Sequence, residues 1–258
     1  MTALLTSRSL REQWEQNGFV IVRQLFEPSL IAEAAADADR VRQEFERLID
    51  VKNIRCRWQD NVFTGACQFD AFDPIIDLSP ICKMMAYDAG LFALLAELYG
   101  EPACLFKDKL IYKLPGAKGY ALHQDWIAWD RFPRSFLSVL VPLDPADEVN
   151  GCTIVYPGYH HDGPLTATDG SYHELPAATV DESKAVPLVL EPGDVAVFGG
   201  FTPHRSNPNL ADRPRRQLYL SYTKQSEGGE LRDVHYQEFH IWLQKKYAEY
   251  GKTDTYYA

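Results

Sequence analysis

Leu122-His123-Gln124-Asp125-Trp126 is the stretch from which the fold of this chain can be predicted. Its histidine and its aspartate are separated by one residue. Because side chains alternate across an extended segment, His123 and Asp125 project from the same side of that segment. An imidazole and a carboxylate placed in this way can serve as two ligands of one metal ion. A His-x-Asp triplet taken alone is also typical of a strand histidine that bonds a neighbour. Motifs elsewhere in the chain are therefore needed to distinguish a metal ligand from such a histidine.

A second histidine lies far downstream, in Thr202-Pro203-His204-Arg205-Ser206. It follows the turn Pro192-Gly193-Asp194 and the apolar run at 195–198. Arg215 then comes just before the apolar run at 218–222. The second histidine is therefore expected directly after one buried strand, and the arginine directly before another.

His123, Asp125 and His204 together make up the two-histidine, one-carboxylate facial triad that binds Fe(II) and leaves three coordination positions open. We predict them as the metal-binding and catalytic residues. An arginine shortly after the second histidine can hold the far carboxylate of 2-oxoglutarate through two charge-assisted hydrogen bonds. Arg215 and Arg216 compete for this role, and only one can face the pocket because adjacent strand residues point to opposite sides.

The order of these motifs resembles that of the phytanoyl-CoA dioxygenase family. The resemblance is carried by residues 122–125, Asn150-Gly151-Cys152-Thr153 with Pro157-Gly158-Tyr159-His160, Pro192-Gly193-Asp194, the segment from 204 to 215, and the amino-terminal Asn17-Gly18-Phe19-Val20-Ile21-Val22. Tyr159 stands where the family often has a small residue, a departure that concerns the substrate side more than the iron.

The resemblance implies a mainly β fold with flanking α-helices around a double-stranded β-helix, or jelly-roll, core. It also implies Fe(II), with 2-oxoglutarate and dioxygen as co-substrates. The family spacing favours Arg215 over Arg216 as the co-substrate anchor. Other residues implied to face 2-oxoglutarate are Lys107, Lys109, Thr153 and Ser206. Halogenating relatives lack the carboxylate at Asp125, so its presence favours hydroxylation.

The chain as a whole is expected to form one domain over residues 1–258. We predict a helical flank at 1–100, the jelly-roll core at 101–225 and a carboxy-terminal helix at 226–258, with His235 and His240 on the helix surface. Short apolar runs separated by Pro and Gly predict the strands of the core. The long polar segment at 159–184 is typical of a lid or binding loop.

Composition excludes several classes of partner. The net charge of −10 over 258 residues argues against nucleic acid or an anionic membrane as a partner. No run is long and apolar enough to cross a bilayer, and residues 1–5 are too short for the core of a signal peptide. The five cysteines contain no C-x-x-C pair, which predicts free thiols in a reducing compartment. We therefore expect a cytoplasmic protein with a small-molecule substrate.

The substrate is the least constrained part of the prediction. Candidate contacts are Trp126, Trp129, Arg55, Arg57, Arg131 and His160. The tryptophans can stack on a cationic head group, and the arginines can bind carboxylate or phosphonate oxygens. Together they suit a small zwitterion; within the family the nearest candidate is an aminophosphonate such as 2-aminoethylphosphonate, hydroxylated next to phosphorus. Alternatively, the tryptophans are wall residues, the arginines are solvated and His160 bonds backbone in a turn.

Two other functions stay open at this stage. One is a jelly roll that binds a small ligand without turnover, which the intact triad and arginine argue against. The other is a cupin-type dioxygenase that does not use 2-oxoglutarate. Release of carbon dioxide from labelled 2-oxoglutarate separates the two enzymes, while the oligomeric state is left unassigned by the sequence.

Overall fold

A computed structural model describes residues 9–129 and 132–258 of the chain. The strands of the described residues are β1 Phe19–Val22, β2 Cys56–Asp60, β3 Cys67–Phe72, β4 Ala103–Ile111, β5 Tyr120–His123, β6 Leu137–Pro142, β7 Thr153–Val155, β8 Val186–Pro187, β9 Val195–Gly199, β10 His204–Ser206 and β11 Gln217–Lys224. The helices are α1 Leu10–Asn17, α2 Pro28–Glu44, α3 Pro80–Ala86, α4 Ala89–Tyr99 and α5 Arg232–Glu249.

The strands form two antiparallel sheets. The larger sheet has the order β1-β9-β6-β11-β4-β3-β2, and the smaller has the order β5-β10-β7-β8. Strands β6 and β9 are rich in valine and almost wholly buried, as expected for strands covered on both faces. The predicted mainly β fold with flanking helices is confirmed.

Helices cover the outer face of the larger sheet. Ala34 and Ala38 of α2 and Leu95 of α4 belong to the same buried cluster as Leu137 of β6 and Leu218 of β11. The small alanine side chains let α2 lie close to the sheet. The inner face of the larger sheet is left to border a cavity against the smaller sheet, and that cavity contains the predicted site.

The flank at 1–100 contributes strands as well as helices. β1 pairs with β9, and the hairpin β2–β3 extends the larger sheet beyond β4 through the pairing of Ala71 with Ile111. The predicted helical flank at 1–100 thus contains strands beside its helices, as expected for residues 19–22. The strands of the flank are short. The partner of β1 lies more than a hundred residues away in the chain, and local sequence patterns do not indicate such a pairing.

The strand β4 ends earlier than the alternation of side chains suggests. The alternating side chains from Cys104 to Leu114 predict a strand over that whole range. The observed strand ends at Ile111, and Lys113 has a positive φ of 30°. The side chain of Lys113 is buried and donates hydrogen bonds to backbone carbonyls of the loops before β7 and after β10. These hydrogen bonds join residues distant in sequence, so the local pattern of side chains does not predict them. They are formed where the backbone turns at the end of β4.

Helix α5 is the expected carboxy-terminal helix, but its packing differs from the prediction. His235 was expected on the helix surface and is instead buried, with Phe239 and Leu243 one and two turns further along the same face. His240 is half-buried. The helix packs this face against the cavity side of the molecule, which explains the error.

No helix in the described ranges is long and apolar enough to cross a membrane. All five cysteines are free, as predicted, and all but Cys67 are buried.

Candidate active site

The two histidines of the predicted triad face each other across the smaller sheet. His204 of β10 lies opposite His123 of β5 in the antiparallel register, and their ring centroids are 4.2 Å apart. Asp125 follows the end of β5, with its Oδ1 atom 3.6 Å from Nε2 of His123 and 3.7 Å from Nε2 of His204. One donor atom from each residue lies within 4.8 Å of the other two.

Backbone carbonyls fix the orientation of both imidazole rings. Nδ1 of His123 lies 2.7 Å from the carbonyl of Ala121, and Nδ1 of His204 lies 3.0 Å from that of Thr202. Because a carbonyl only accepts hydrogen bonds, each Nδ1 carries the proton and each Nε2 keeps its lone pair toward Asp125. The three donors therefore fit a divalent metal ion.

The site holds its ligands in the ionisation states that a metal requires. Burial, reinforced by the nearby His123, lowers the pKa of His204 to about 4, so this ring is neutral at pH 7. Burial alone would raise the pKa of Asp125, but His204 and His123 outweigh it and hold this pKa below its usual range. Ser138 further fixes the carboxylate by donating a hydrogen bond of 2.6 Å to Oδ2. Two imidazoles and one carboxylate are the donor set that suits Fe(II).

A cavity of about 540 Å³ opens beside these residues. Both sheets line it, through Lys107, Ser138 and Tyr219 of the larger sheet and Thr153 and His204 of the smaller. Tyr172, from the long polar segment predicted as a lid, also lines the cavity, and its ring centroid lies 5.6 Å from that of His123. The segment therefore forms part of the cavity wall.

Thr153 and Ser206, predicted to face 2-oxoglutarate, lie opposite each other on β7 and β10 and both line the cavity. The hydroxyl of Thr153 is 2.9 Å from that of Tyr219. Lys109 lines the same part of the cavity, with its ammonium group 5.0 Å from the ring centroid of Tyr219. The register thus brings these predicted residues together beside His204.

Arg215 and Arg216 point to opposite sides of the larger sheet. Arg216 is bound to Asp144 at 2.7 Å and to Asp39 at 2.8 Å, on the helix side. Arg215 is only 1% exposed; its Nη1 donates to the carbonyl of Gly151 at 2.8 Å. Its Nε atom is buried and has no hydrogen-bond partner among the described residues, although Arg215 does not itself border the cavity. An unpaired buried donor of this kind fits a carboxylate oxygen.

Lys113 is a buried residue that the sequence analysis did not assign to the site. Its ammonium group donates to the carbonyls of Gly151 and Asn207, both at 2.6 Å, and to the hydroxyl of Ser206 at 3.0 Å. Burial and the neighbouring Arg215 lower its pKa to about 6. A lysine in an alternating strand carries no signal of such a position; the Pro-Gly turn that follows it was the single local hint.

The two predicted tryptophans have different surroundings. Trp129 lines the cavity, and its Nε1 donates to the carbonyl of Gly170 at 2.6 Å. Trp126 instead stacks on Phe201 with centroids 5.1 Å apart, beneath the guanidinium of Arg134, and does not border the cavity. The structure therefore supports Trp129 as a wall residue and gives Trp126 no contact with the cavity.

The predicted arginines do not form the cavity rim. Arg55 donates to the carbonyl of Pro74 at 2.9 Å and lies over the ring of Tyr257. Arg57 donates to the carbonyl of Ile54 at 2.7 Å and lies 3.3 Å from Asp73. Neither borders the cavity, because each side chain is held by partners behind the wall.

Two substrate candidates remain, Arg131 and His160. Arg131 lies outside the described residues. His160 does not border the cavity, and its Nε2 is 3.1 Å from the carbonyl of Glu15. The alternative of a turn histidine that bonds backbone is confirmed.

Lys107 and Lys109, predicted as a pair, diverge along the cavity. The ammonium group of Lys107 lies 3.1 Å from Asp73 and 4.2 Å from the ring centroid of Phe239 of α5. His235 lines the same end of the cavity and has a buried Nε2 atom with no hydrogen-bond partner among the described residues. This end of the cavity was missed from the sequence, because it forms only when α5 packs against β4.

Two antiparallel sheets that enclose two histidines and a carboxylate define a jelly-roll, non-haem iron oxygenase. The chain belongs to the phytanoyl-CoA dioxygenase (PhyH) family, whose family model matches residues 14–217. It is 30% identical over 246 residues to the methylphosphonate hydroxylase of Gimesia maris, covering 92% of this chain and 87% of that protein. It is 29% identical over 232 residues to the 2-aminoethylphosphonate dioxygenase of an uncultured bacterium, covering 86% and 84%.

Solved structures agree on the fold. The crystal structure of EctD from S. alaskensis with 2-oxoglutarate and 5-hydroxyectoine superposes with a TM-score of 0.70 at 22% identity, covering 84% of this chain and 76% of that chain. The alpha-ketoglutarate-dependent epimerase SnoN of nogalamycin biosynthesis superposes with a TM-score of 0.66 at 22% identity, covering 83% and 82%. The predicted jelly-roll core is confirmed.

The chain is thus an Fe(II)- and 2-oxoglutarate-dependent dioxygenase of the hydroxylase type. Neither alternative from the sequence, a ligand-binding jelly roll or a cupin-type dioxygenase without 2-oxoglutarate, agrees with this family. Iron, when bound at such a site, supplies the activation of dioxygen.

Proposed function

We propose that this enzyme hydroxylates a small organophosphonate, such as 2-aminoethylphosphonate, at the carbon next to phosphorus, with succinate and carbon dioxide as the other products. The observation that carries the proposal is Lys107, a second lysine on the cavity side of β4 in addition to the Lys109 that this proposal assigns to 2-oxoglutarate. A cationic wall in a chain with a net charge of −10 is a local feature that favours an anionic ligand. Two relatives named for phosphonates support it.

In this proposal His123, Asp125 and His204 hold the iron, and Arg215, whose Nη1 is bound to Gly151, holds the far carboxylate of 2-oxoglutarate through its unpaired Nε. Thr153, Ser206 and Lys109 complete the co-substrate side. Ser138 keeps the carboxylate of Asp125 in place. The cavity volume of about 540 Å³ suits 2-oxoglutarate together with one small metabolite.

Wall residues then exclude water from the reacting carbon. Tyr172 closes the cavity over His123, while Trp129 and Phe132 form an apolar side that orients the substrate. Exclusion of water strengthens the electrostatic contacts inside the cavity and limits side reactions.

The test is a succinate-release screen with Fe(II), 2-oxoglutarate and oxygen. The panel contains 2-aminoethylphosphonate, methylphosphonate, small amino acids, betaines and acyl thioesters. We expect phosphonates to stimulate succinate release well above the level without substrate, with a new hydroxylated phosphonate visible by phosphorus NMR. Stimulation by an amino acid or a betaine, with none by any phosphonate, would contradict the proposal.

We further propose a single cytoplasmic domain spanning the chain. The free cysteines, four of them buried, support a reducing compartment.

A further inference from the structure

We propose that Lys107, His235 and Phe239 form the subsite that binds the anionic group of the substrate, apart from the 2-oxoglutarate side at Lys109. We call these three residues the anion subsite. The inference rests on the proposed function, because it names the residues that would recognise the phosphonate. It also moves Lys107, which the sequence analysis grouped with the co-substrate, to the substrate side.

The register of the larger sheet separates the two lysines. Lys107 of β4 is paired with Ser221 of β11, which is paired with Ser138 of β6, so these three residues form one row across the sheet. Lys109 lies in the next inward-facing row, opposite Tyr219. Residues two apart on a strand are roughly 6.5 Å apart, which is enough to place the two ammonium groups in different parts of one cavity.

The row that contains Lys107 leads to the iron ligands. Ser138, at its other end, donates to Asp125. Two strand spacings, about 10 Å, separate the backbones of Ser138 and Lys107. Since a lysine side chain spans much of that distance, an anionic group bound by Lys107 would keep an adjacent carbon close to the triad.

Asp73 holds the ammonium group of Lys107 without closing it off. Asp73 is almost fully buried and does not border the cavity, whereas Lys107 does. Its carboxylate also accepts a hydrogen bond of 3.0 Å from Tyr236 and lies 3.3 Å from Arg57. An ammonium group has three donors, and Asp73 is the single acceptor that the described residues place beside this one. Asp73 thus acts as a positioning residue behind the subsite.

In its Nε2–H tautomer, His235 adds a donor without adding charge. It is 6% exposed, lines the cavity, and its Nε2 has no hydrogen-bond partner in the described part of the chain. Burial and the adjacent Lys107 lower its pKa to about 3, so the ring is neutral at pH 7. A buried polar atom without a partner is uncommon in native proteins, and a ligand oxygen would satisfy this one.

Phe239 joins these groups into one site. Its ring centroid lies 4.2 Å from the ammonium of Lys107, 5.0 Å from the guanidinium of Arg57 and 5.5 Å from the ring of His235. The two cations outnumber the one carboxylate of Asp73, which leaves a net positive charge in an apolar setting. Such a setting favours a small anion, because the attraction is weakly screened there.

The test compares Lys107→Met and His235→Phe with a matched control, Lys246→Met. Lys246 also has a carboxylate partner, Glu249 at 3.3 Å, and an aromatic neighbour, Trp242, but it lies outside the cavity. Phenylalanine at 235 keeps the ring packing against Phe106 and removes only the polar edge. The measurements are KM for the phosphonate, KM for 2-oxoglutarate, succinate release without substrate, and calorimetric binding of methylphosphonate to metal-free protein.

We expect Lys107→Met to raise KM for the phosphonate by at least about tenfold, as for loss of a charge-assisted hydrogen bond, and to weaken methylphosphonate binding in parallel. His235→Phe should have a smaller effect in the same direction. KM for 2-oxoglutarate should stay within twofold in both variants, and Lys246→Met should match the wild type in every measurement, succinate release without substrate included.

Three results overturn the inference: a rise in KM for 2-oxoglutarate as large as that for the phosphonate, wild-type phosphonate binding in both cavity variants, or no methylphosphonate binding by folded wild-type protein. A failure of the proposed function can be distinguished from a failure of this inference. If the wild type binds methylphosphonate through Lys107 but no phosphonate is turned over, the anion subsite stands and the reaction assigned to it does not.

Discussion

At the scale of single residues, the proposed iron ligands are positioned by backbone and by one hydroxyl. Alanine at His123, Asp125 or His204 should nearly abolish succinate release and weaken Fe(II) binding. The fold should survive, because apolar packing holds the strands. Iron titration and thermal unfolding of each variant check this, with His161→Ala, an exposed histidine outside the cavity, as the control. Activity like that of the wild type in any one variant would remove that residue from the triad.

The guanidinium of Arg215 gives a second prediction at this scale. Arg215→Ala should raise the apparent KM for 2-oxoglutarate by at least about tenfold, since a charge-assisted hydrogen bond contributes roughly 1.5–3 kcal/mol. Lysine at this position should rescue only in part, because it lacks the planar fork. Titration of 2-oxoglutarate at saturating substrate measures both effects.

Arg216 provides the matched control. Its guanidinium joins Asp144 to Asp39 and to the carbonyl of Ala35 on the helix side, so Arg216→Ala should lower the melting temperature and leave KM for 2-oxoglutarate within twofold. If Arg216→Ala raises KM and Arg215→Ala does not, the assignment of the co-substrate anchor is wrong.

Sequence spacing can locate residues whose partners are local or fixed by a motif. His123 and Asp125 are separated by one residue at the end of β5, and the distance from His204 to Arg215 follows a family pattern. Lys113 and His235 carry no such signal, because their burial depends on loops and a helix brought in from elsewhere. Arg55 was misplaced for the same reason: its partners are the carbonyl of Pro74 and the ring of Tyr257.

At the scale of elements, helix α5 closes one end of the cavity, and its buried His235 makes the stability depend on pH. The folded state lowers the pKa of His235 to about 3 from an ordinary value of 6.5. Between these values the unfolded chain binds more protons, so this residue's contribution to stability is complete above about pH 6.5 and is lost as the pH falls toward about 3. His235→Phe removes that dependence.

We therefore expect His235→Phe to become more stable relative to the wild type as the pH falls from 7 to 4. The free energy of unfolding of the variant minus that of the wild type should increase over this range. The slope is at most about 1.4 kcal/mol per pH unit, the value for one proton. Urea unfolding of metal-free protein at several pH values measures it. A difference between the two proteins that stays constant over this range would contradict the burial of a neutral imidazole.

Element types were predicted better than element boundaries and partners. The 195–198 and 218–222 runs are strands, since valine, leucine and tyrosine in short apolar runs favour them. The early end of β4 and the pairing partners of the flank strands were not predicted. Both depend on contacts that are distant in sequence, the first on Lys113 and the second on the pairing of β1 with β9.

At the scale of the whole molecule, one buried cluster joins the parts of the chain. Val20 and Ile31 of the flank share it with Leu105 and Leu137 of the core and Tyr222 of β11. The flank at 1–100 should therefore not unfold by itself. We expect far-UV circular dichroism and tryptophan fluorescence to report the same melting midpoint for metal-free protein. Two separated midpoints would contradict the single domain that we propose.

The pairing of His123 with His204 has a consequence for the rate at which the backbone opens. Strand β5 lies at the edge of the smaller sheet, and within the described residues its one strand partner is β10, over a short and bulged register. An ion bound by both histidines would link β5 to β10 and stabilise this short strand pair. Removing iron with a chelator should speed amide hydrogen exchange at Leu122 and His123, while the long β4–β11 ladder stays protected. Equal exchange in β5 with and without iron would show that packing alone keeps this edge closed.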